Sequence, residues 1–118
     1  MELRGGIIMH ELRLHNEPYE LIKSVTKTIE MRLYDEKRKI IKEGDIIEFT
    51  NRATGEKIKT EVIKLHIFNN FEELYNNFDY VSLGYKENEK VDPNDMEKYY
   101  SKEEQCQYGV VGIEIKLI

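Results

Sequence analysis

Three charged residues in one short stretch could bind or transform an anionic ligand. Lys27, Glu30 and Arg32 lie close together, and Glu30 and Arg32 occupy alternate positions of a predicted strand. Alternate strand residues point to the same face, so these two side chains would lie roughly 7 Å apart, with Lys27 entering beside them. In a cleft, the two cations could hold a phosphate or the oxyanion of an acyl transfer. Glu30 could accept hydrogen bonds from a base edge, orient Lys27 or transfer a proton.

The same row of charges could also form an ordinary solvent-exposed strand face. Exposed ion pairs contribute only about 0–1 kcal/mol to stability, and such a surface needs no ligand to explain it. Both interpretations stay open at the level of these residues alone.

The charge of the chain is unevenly distributed. The 118 residues carry a net charge of −5, from 18 basic and 23 acidic side chains. Residues 23–42 hold seven basic and three acidic side chains, a net of +4, whereas residues 72–104 hold four lysines and ten acids, a net of −6. Phosphate binding depends on local clusters of Lys and Arg, so the acidic total does not exclude nucleic acid. The basic connector from Lys37 to Lys42 would extend a phosphate track, and the acidic half favours a single-stranded or nucleotide-sized ligand over a duplex.

Other kinds of site find no support in the sequence. There is no phosphate loop, dinucleotide glycine fingerprint or zinc spacing, and His10, His15 and His66 are too scattered to indicate a metal, so we expect neither metal nor cofactor. Cys106 cannot form an internal disulfide. Tyr99, Tyr100 and Tyr108 could stack on bases or cover the edge of a core. No run approaches the ~20 apolar residues of a membrane span, and no signal-peptide core is visible at the start, so we expect a cytoplasmic protein without membrane contact.

Hydrophobic periodicity predicts the elements that would position the charged row. Alternation predicts strands over 8–14, 28–33, 46–50, 57–68 and 111–117, with a phase shift in the fourth that indicates either a bulge or a strand that turns a barrel corner. Capping signals predict helices over 19–24, with Asn16 as N-cap, and over 71–78, 92–100 and from 101. Residues 35–41 would be a polar connector or one helical turn, 79–91 a loop and 1–7 a loose extension. The order predicts an α+β fold, a small mixed or antiparallel β-barrel of about five strands with flanking short helices.

The stretch around Lys27 also resembles a known family. The fingerprint G-x-K-x-x-E-x-R of the ASCH domain, a member of the PUA-like superfamily, matches at Lys27, Glu30 and Arg32. Val25 replaces the glycine; if that position needs a positive φ, valine would cost about 1–2 kcal/mol. Small prokaryotic single-domain members also share the turn Lys42-Glu43-Gly44-Asp45, the helix start at 71–75 and the strand at 108–115. The resemblance implies one ASCH domain over 8–118 with a PUA-like barrel.

The resemblance implies binding of RNA, or of a modified nucleoside or nucleotide, in a cleft beside the motif. Lys27, Thr28, Glu30 and Arg32 would be the binding residues. Whether the chain is an enzyme stays undecided.

Two catalytic alternatives follow from the same resemblance. Some small members are amidohydrolases that act on N4-acetylcytidine; Lys27 aligns with their lysine, and Glu30 stands where they have a threonine. Their separate glutamate has no fixed counterpart here, and Glu72, Glu73 and Asp79 are the candidates. A ribonuclease would need a general base and an acid, for which Glu30 and Lys27 are the candidates.

A further alternative is a protein-interaction module that binds its partner through the acidic C-terminal half.

Overall fold

One curled sheet of five strands, covered by short helices, makes up the fold in the computed structural model, which describes residues 4–118. The strands are β1 Met9–Leu14, β2 Ile29–Leu33, β3 Ile46–Asn51, β4 Lys57–Phe68 and β5 Val110–Leu117. The helices are α1 Asn16–Lys23, α2 Glu36–Lys39, α3 Phe71–Tyr75, α4 Tyr80–Leu83 and α5 Lys102–Tyr108, with a 3₁₀ helix over Pro93–Lys98. This α+β half-barrel confirms the predicted fold class.

The strand order places β1 and β2 at the two edges of the sheet. The order is β1-β3-β4-β5-β2. The β1–β3 pair is parallel, whereas the β3–β4, β4–β5 and β5–β2 pairs are antiparallel, so the sheet is mixed. Both edge strands therefore have one side without a strand partner among the described residues.

The long strand β4 contains the predicted bulge. Its pairing with β5 runs from Val62↔Ile115 directly to Lys64↔Glu114, which leaves Ile63 out of register. An inserted residue increases the local bend and twist of a strand. β4 can therefore pair with β3 through its first half and with β5 through its second, and the sheet curls.

Several predicted boundaries were wrong. Asn16 is the first residue of α1 rather than its N-cap; His15 takes the cap position, and the Asn16 side chain accepts a hydrogen bond from the Asn51 amide at 2.9 Å. α3 ends at Tyr75 rather than at residue 78. The predicted loop over 79–91 contains α4, which Asp79 caps by accepting from the Val81 N–H. A four-residue helix is too short to show a helical period.

Only part of the predicted N-terminal extension, residues 1–7, lies within the described residues. Residues 1–3 lie outside the described residues, and Arg4–Gly6 form a 3₁₀ turn. β1 then begins at Met9 rather than at residue 8.

Two hydrophobic clusters fill the two sides of the sheet. The first lies inside the half-barrel and contains Leu14, Tyr19, Ile22, Ile41, Ile47, Phe49, Val62, Val111, Ile113 and Ile115. The second lies under α3, α4 and the 3₁₀ helix and contains Ile29, Phe71, Leu74, Tyr75, Leu83, Met96 and Val110. β5 contributes side chains to both clusters, and Ile29 of the neighbouring β2 belongs to the second, which fixes the strand that carries the charged row. None of the helices over residues 4–118 is long and apolar enough to cross a membrane.

Candidate functional site

The turn that ends α1 positions Lys27. The Thr26 N–H donates to the Leu21 carbonyl at 2.9 Å and the Val25 N–H donates to the Ile22 carbonyl at 3.0 Å, which is a Schellman motif. This motif needs a left-handed residue at its centre, and Val25 has a φ of 64°. Position 25, where the family has glycine, therefore does require a positive φ. The chain holds a β-branched side chain in a conformation that costs an L-residue about 1–2 kcal/mol.

The Lys27 side chain is turned inward and fully engaged. Only 5% of the residue is exposed, and its Nζ donates to the carbonyl oxygens of Ile29 at 2.7 Å and Leu83 at 2.8 Å. The Glu30 Oε1 atom lies 3.4 Å from the same nitrogen and adds an ion pair to these two hydrogen bonds. Burial lowers the pKa of Lys27, and the Glu30 carboxylate opposes that effect. Gly84 leaves room for this side chain, since a Cβ there would lie 3.2 Å from the Lys27 Cδ.

Glu30 lies between two cations and is itself buried. Arg32 Nε donates to Glu30 Oε2 at 2.7 Å on the side opposite Lys27. Burial alone would raise the pKa of Glu30, but the charges of Arg32 and Lys27 outweigh it, and the pKa is lowered. Burial likewise works against the Arg32 guanidinium, but the Glu30 carboxylate outweighs it and raises the pKa of Arg32. The three groups form a buried row in which the Glu30 carboxylate lies between the Lys27 ammonium and the Arg32 guanidinium.

The two cations of this row also reach the open edges of the sheet. Arg32 Nη2 donates to the Arg13 carbonyl oxygen on β1 at 3.2 Å. Lys27 Nζ donates to the Ile29 carbonyl oxygen on β2. Both acceptors belong to edge strands, where main-chain groups lack a neighbouring strand. The motif therefore satisfies edge carbonyls and holds β1 and β2 close together.

A cleft of about 720 Å³ lies where these two edge strands approach each other. Its basic lining residues are Arg13, Lys27, Arg32, Arg38, Arg52 and Lys98. Its acidic lining residues are Glu17, Glu30, Glu89 and Asp95. Tyr75, Tyr85, Tyr99 and Tyr100 add aromatic surface. Six basic groups against four acids give the cleft a positive balance, opposite in sign to the −5 of the chain.

The predicted binding residues are brought together except for one. Lys27, Glu30 and Arg32 line the cleft. Thr28 is not among the lining residues; its N–H donates to the Ser82 carbonyl at 3.0 Å and its carbonyl accepts from the Ile115 N–H at 2.9 Å. Thr28 thus serves the packing of β2 through its main chain.

The basic connector and the noted tyrosines reach the cleft only in part. Of the connector, Arg38 lines the cleft, whereas Lys37, Lys39 and Lys42 do not. Tyr99 and Tyr100 are lining residues, whereas Tyr108 lies at another cavity.

The three acids considered for an amidohydrolase site lie elsewhere. Glu72 lines the other cavity. The Glu73 carboxylate accepts from the Asn69 N–H at 3.1 Å, beside the start of α3. Asp79 caps α4 through the Val81 N–H. Asp95 and Glu89, which sequence reasoning did not single out, are instead the acids on the far wall of the cleft.

The histidines are also used separately. His10 Nε2 lies 2.8 Å from Asp45 Oδ2, and His66 Nε2 lies 2.9 Å from Glu114 Oε1. His15 lines the cleft. Within residues 4–118, no three His, Cys, Asp or Glu side chains are grouped so that they could hold a metal ion.

Several lining residues could not be found from the sequence. Arg13, Arg52 and Lys98 come from separate segments, and no local pattern connects them.

Two hydrogen-bonded tyrosine hydroxyl groups fix the wall of the cleft that carries Lys98. Tyr85 donates to Asp95 Oδ2 at 2.7 Å, and the Tyr75 hydroxyl lies 2.8 Å from that of Tyr85. Burial raises the pKa of Tyr75 to about 12, so this hydroxyl stays protonated.

A second cavity of about 1000 Å³ lies on another side of the molecule. Side-chain amides are its main polar groups: Asn69, Asn70, Asn76, Asn94, Gln105 and Gln107. Lys102 and Glu72 are its charged lining residues. Although this cavity is larger, the charged groups converge in the cleft beside β2, which is therefore the candidate site.

A β-half-barrel with a buried Lys-x-x-Glu-x-Arg row beside a basic cleft defines the class of the protein. The chain matches the model of the ASCH domain over residues 12–118, and it belongs to that family.

Two solved structures are similar to the chain. The crystal structure of the hypothetical protein PH0355 shares 34% identity, covers 94% of this chain and 100% of its own, and has a TM-score of 0.80. The solution NMR structure of protein PF0455 from Pyrococcus furiosus also shares 34% identity, covers 94% of this chain and 98% of its own, and has a TM-score of 0.75. No curated protein gives a significant match.

Proposed function

We propose that this ASCH domain binds single-stranded RNA or a nucleotide in the cleft beside β2. The observation that carries the proposal is the convergence of cations from separate segments of an acidic chain. Arg13 comes from β1, Arg38 from α2, Arg52 from the β3–β4 turn and Lys98 from the 3₁₀ helix. Phosphates are attracted to such a local cluster whatever the net charge of the whole molecule.

The residues of the cleft divide into two groups with different tasks. Lys27 donates to the carbonyls of Ile29 and Leu83, and Arg32 donates to Glu30 and to the Arg13 carbonyl, so these residues hold the cleft in shape. Arg13, Arg52 and Lys98 have exposed side chains at the cleft and are the phosphate-binding groups of this proposal.

An aromatic side chain at the rim supplies a surface for a base. Tyr99 is 59% exposed and follows Lys98 directly. Tyr100, by contrast, stacks on Phe71 with ring centroids 6.2 Å apart and so supports the core. Stacking of one base on one aromatic ring contributes about 1–3 kcal/mol and tolerates any base. A phosphate on Lys98 and a base on Tyr99 would be neighbouring parts of one nucleotide.

Titration with a labelled oligouridine at two salt concentrations tests the proposal. We expect affinity to fall as salt rises, because binding releases counterions. Arg52→Ala and Lys98→Ala should each weaken binding and reduce the slope of log K against log salt by about 0.7 for each lost contact. Lys64→Ala is the matched control, since Lys64 is exposed on β4 and does not line the cleft. Absence of wild-type binding at both salt concentrations would refute the proposal.

A further inference from the structure

The cleft meets β2 at its main-chain edge. Three consecutive residues of this strand, Glu30, Met31 and Arg32, line it. Successive side chains of a strand point to opposite faces of the sheet. A cavity in contact with three residues in a row therefore faces the edge of the strand, where the peptide groups are.

The hydrogen-bond pattern identifies which peptide groups point out of that edge. The Ile115 N–H donates to the Thr28 carbonyl at 2.9 Å, and the Tyr34 N–H donates to the Gly109 carbonyl at 3.0 Å. In an antiparallel pair, hydrogen-bonded and non-hydrogen-bonded residues alternate, so even-numbered residues of β2 bond to β5. Ile29, Met31 and Leu33 therefore direct their N–H and C=O groups away from β5. The bond from Lys27 Nζ to the Ile29 carbonyl agrees with this direction.

Two main-chain carbonyl groups at the facing edges already accept hydrogen bonds from the charged row. Lys27 takes the Ile29 carbonyl, and Arg32 takes the Arg13 carbonyl on the facing strand. Met31 is different, because within residues 4–118 neither its N–H nor its C=O forms a hydrogen bond outside its strand, and its place in the register, opposite Gly112, is a non-hydrogen-bonded one. Met31 thus presents one donor and one acceptor side by side in the cleft.

We propose that the Met31 main chain hydrogen-bonds to the edge of an unpaired nucleobase, an inference that rests on the function proposed above. The Watson–Crick edge of uracil carries an acceptor, O4, next to a donor, N3–H. The Met31 N–H would donate to O4, and the base N3–H would donate to the Met31 carbonyl oxygen. A duplex already uses this edge, so the contact selects single strands. The other bases also carry a neighbouring donor and acceptor, so the contact does not depend on which base is bound.

Chemically modified oligonucleotides test the contact on the wild-type protein. Oligouridine, oligo(N3-methyluridine) and oligo(5-methyluridine) have the same backbone charge, but only the N3-methyl group removes the edge donor. We expect the N3-methylated strand to bind about tenfold more weakly, the value of one hydrogen bond, and the 5-methylated strand to bind like oligouridine. Equal affinity for all three strands would overturn the Met31 contact and leave the proposed function standing. Absence of binding by all three at low and high salt would instead overturn the proposed function.

A variant pair tests the same contact from the protein side. Met31→Pro removes the N–H donor, and proline is tolerated on an edge strand where that N–H points out of the sheet. Met31→Leu is the control, because it keeps the donor and a similar volume. We expect Met31→Pro to bind oligouridine about tenfold more weakly than Met31→Leu, with equal salt dependence. Equal affinity of two folded variants would contradict the inference, and if the proline variant fails to fold, the modified strands decide.

Discussion

Arg32 donates a hydrogen bond from its Nη2 to the main-chain carbonyl oxygen of Arg13, at 3.2 Å. The two residues lie on β2 and β1, which are the last and first strands in the sheet order. One side chain therefore connects the two ends of an open sheet. The same guanidinium donates to Glu30 at 2.7 Å, so the width of the cleft and the buried charged row depend on one residue.

Arg32→Lys should lower the free energy of unfolding by about 1–3 kcal/mol. Lysine keeps the positive charge but lacks the planar fork that serves two acceptors in different directions. Urea denaturation measures the loss. Arg13→Lys is the matched control, because only the carbonyl of Arg13 takes part in the contact; we expect it to stay within about 0.5 kcal/mol of the wild type. Equal stability of the two variants would show that the connection between the edges contributes nothing.

Glu30→Gln should destabilise the fold by about 3–5 kcal/mol. The change leaves two cations, Lys27 and Arg32, without the buried carboxylate between them, and removal of one partner from a buried pair is costly. Glu56→Gln is the comparison, since the Lys23–Glu56 pair is about half exposed and its loss should be much smaller. Chemical denaturation of both variants gives the two values. Similar losses would mean that the buried row behaves like a surface pair.

Val25→Gly should raise the free energy of unfolding by about 1 kcal/mol. Glycine removes a left-handed strain of about 1–2 kcal/mol, partly offset by its larger entropy in the unfolded chain. Little packing is lost, because Val25 is 61% exposed. Thermal unfolding shows the shift as a higher Tm. Glu20→Gly, at an exposed position within α1, should change stability in the opposite direction by a similar amount. A lower Tm for Val25→Gly would contradict the left-handed conformation.

Asp45 should make the fold sensitive to acid. Its carboxylate accepts from the N–H groups of Ile8 at 3.2 Å and Lys42 at 3.0 Å, and His10 Nε2 lies 2.8 Å away. Burial alone would raise the pKa of Asp45, but these hydrogen bonds outweigh it and lower the pKa below its ordinary 3.8. A lowered pKa means that the contribution is complete above about pH 4 and is lost as the pH falls through the folded-state value.

The measurement is urea unfolding of the wild type and Asp45→Asn between pH 6 and pH 3. We expect the wild type to be more stable at pH 6 and the difference to shrink towards pH 3. A difference that stays constant over this range would show that the carboxylate charge has no part in holding β1 to the 42–45 turn.

Local patterns in the sequence predicted much of the fold. The features that depend on long-range pairing or packing could not be predicted from them. Alternation located all five strands and the bulge at Ile63, because both depend on which side chains face the core. The parallel β1–β3 pair was not specified, since alternation carries no information on strand direction. α4 was missed because its four residues are set by the Asp79 cap and by packing.

The features of the candidate site also divide into those that local sequence patterns reveal and those that depend on long-range contacts. The spacing of Lys27, Glu30 and Arg32 was visible because all three lie around one short strand. That Lys27 would be buried and donate to the carbonyls of Ile29 and Leu83 depends on α4, far along the chain, which spacing does not reveal. Arg52 and Lys98 reach the cleft only through the curl of the sheet.

The strand order also determines when the cleft can exist during synthesis. β2 precedes β3 and β4 in the chain, yet its strand partner is β5, with Ile29 opposite Glu114. A strand whose partner is so distant must wait on the ribosome until residues 110–117 have emerged. β1, β3 and β4 can pair before then. The nascent domain would therefore acquire its basic cleft only after β5 has joined the sheet, so that a chain without β5 does not carry a complete site.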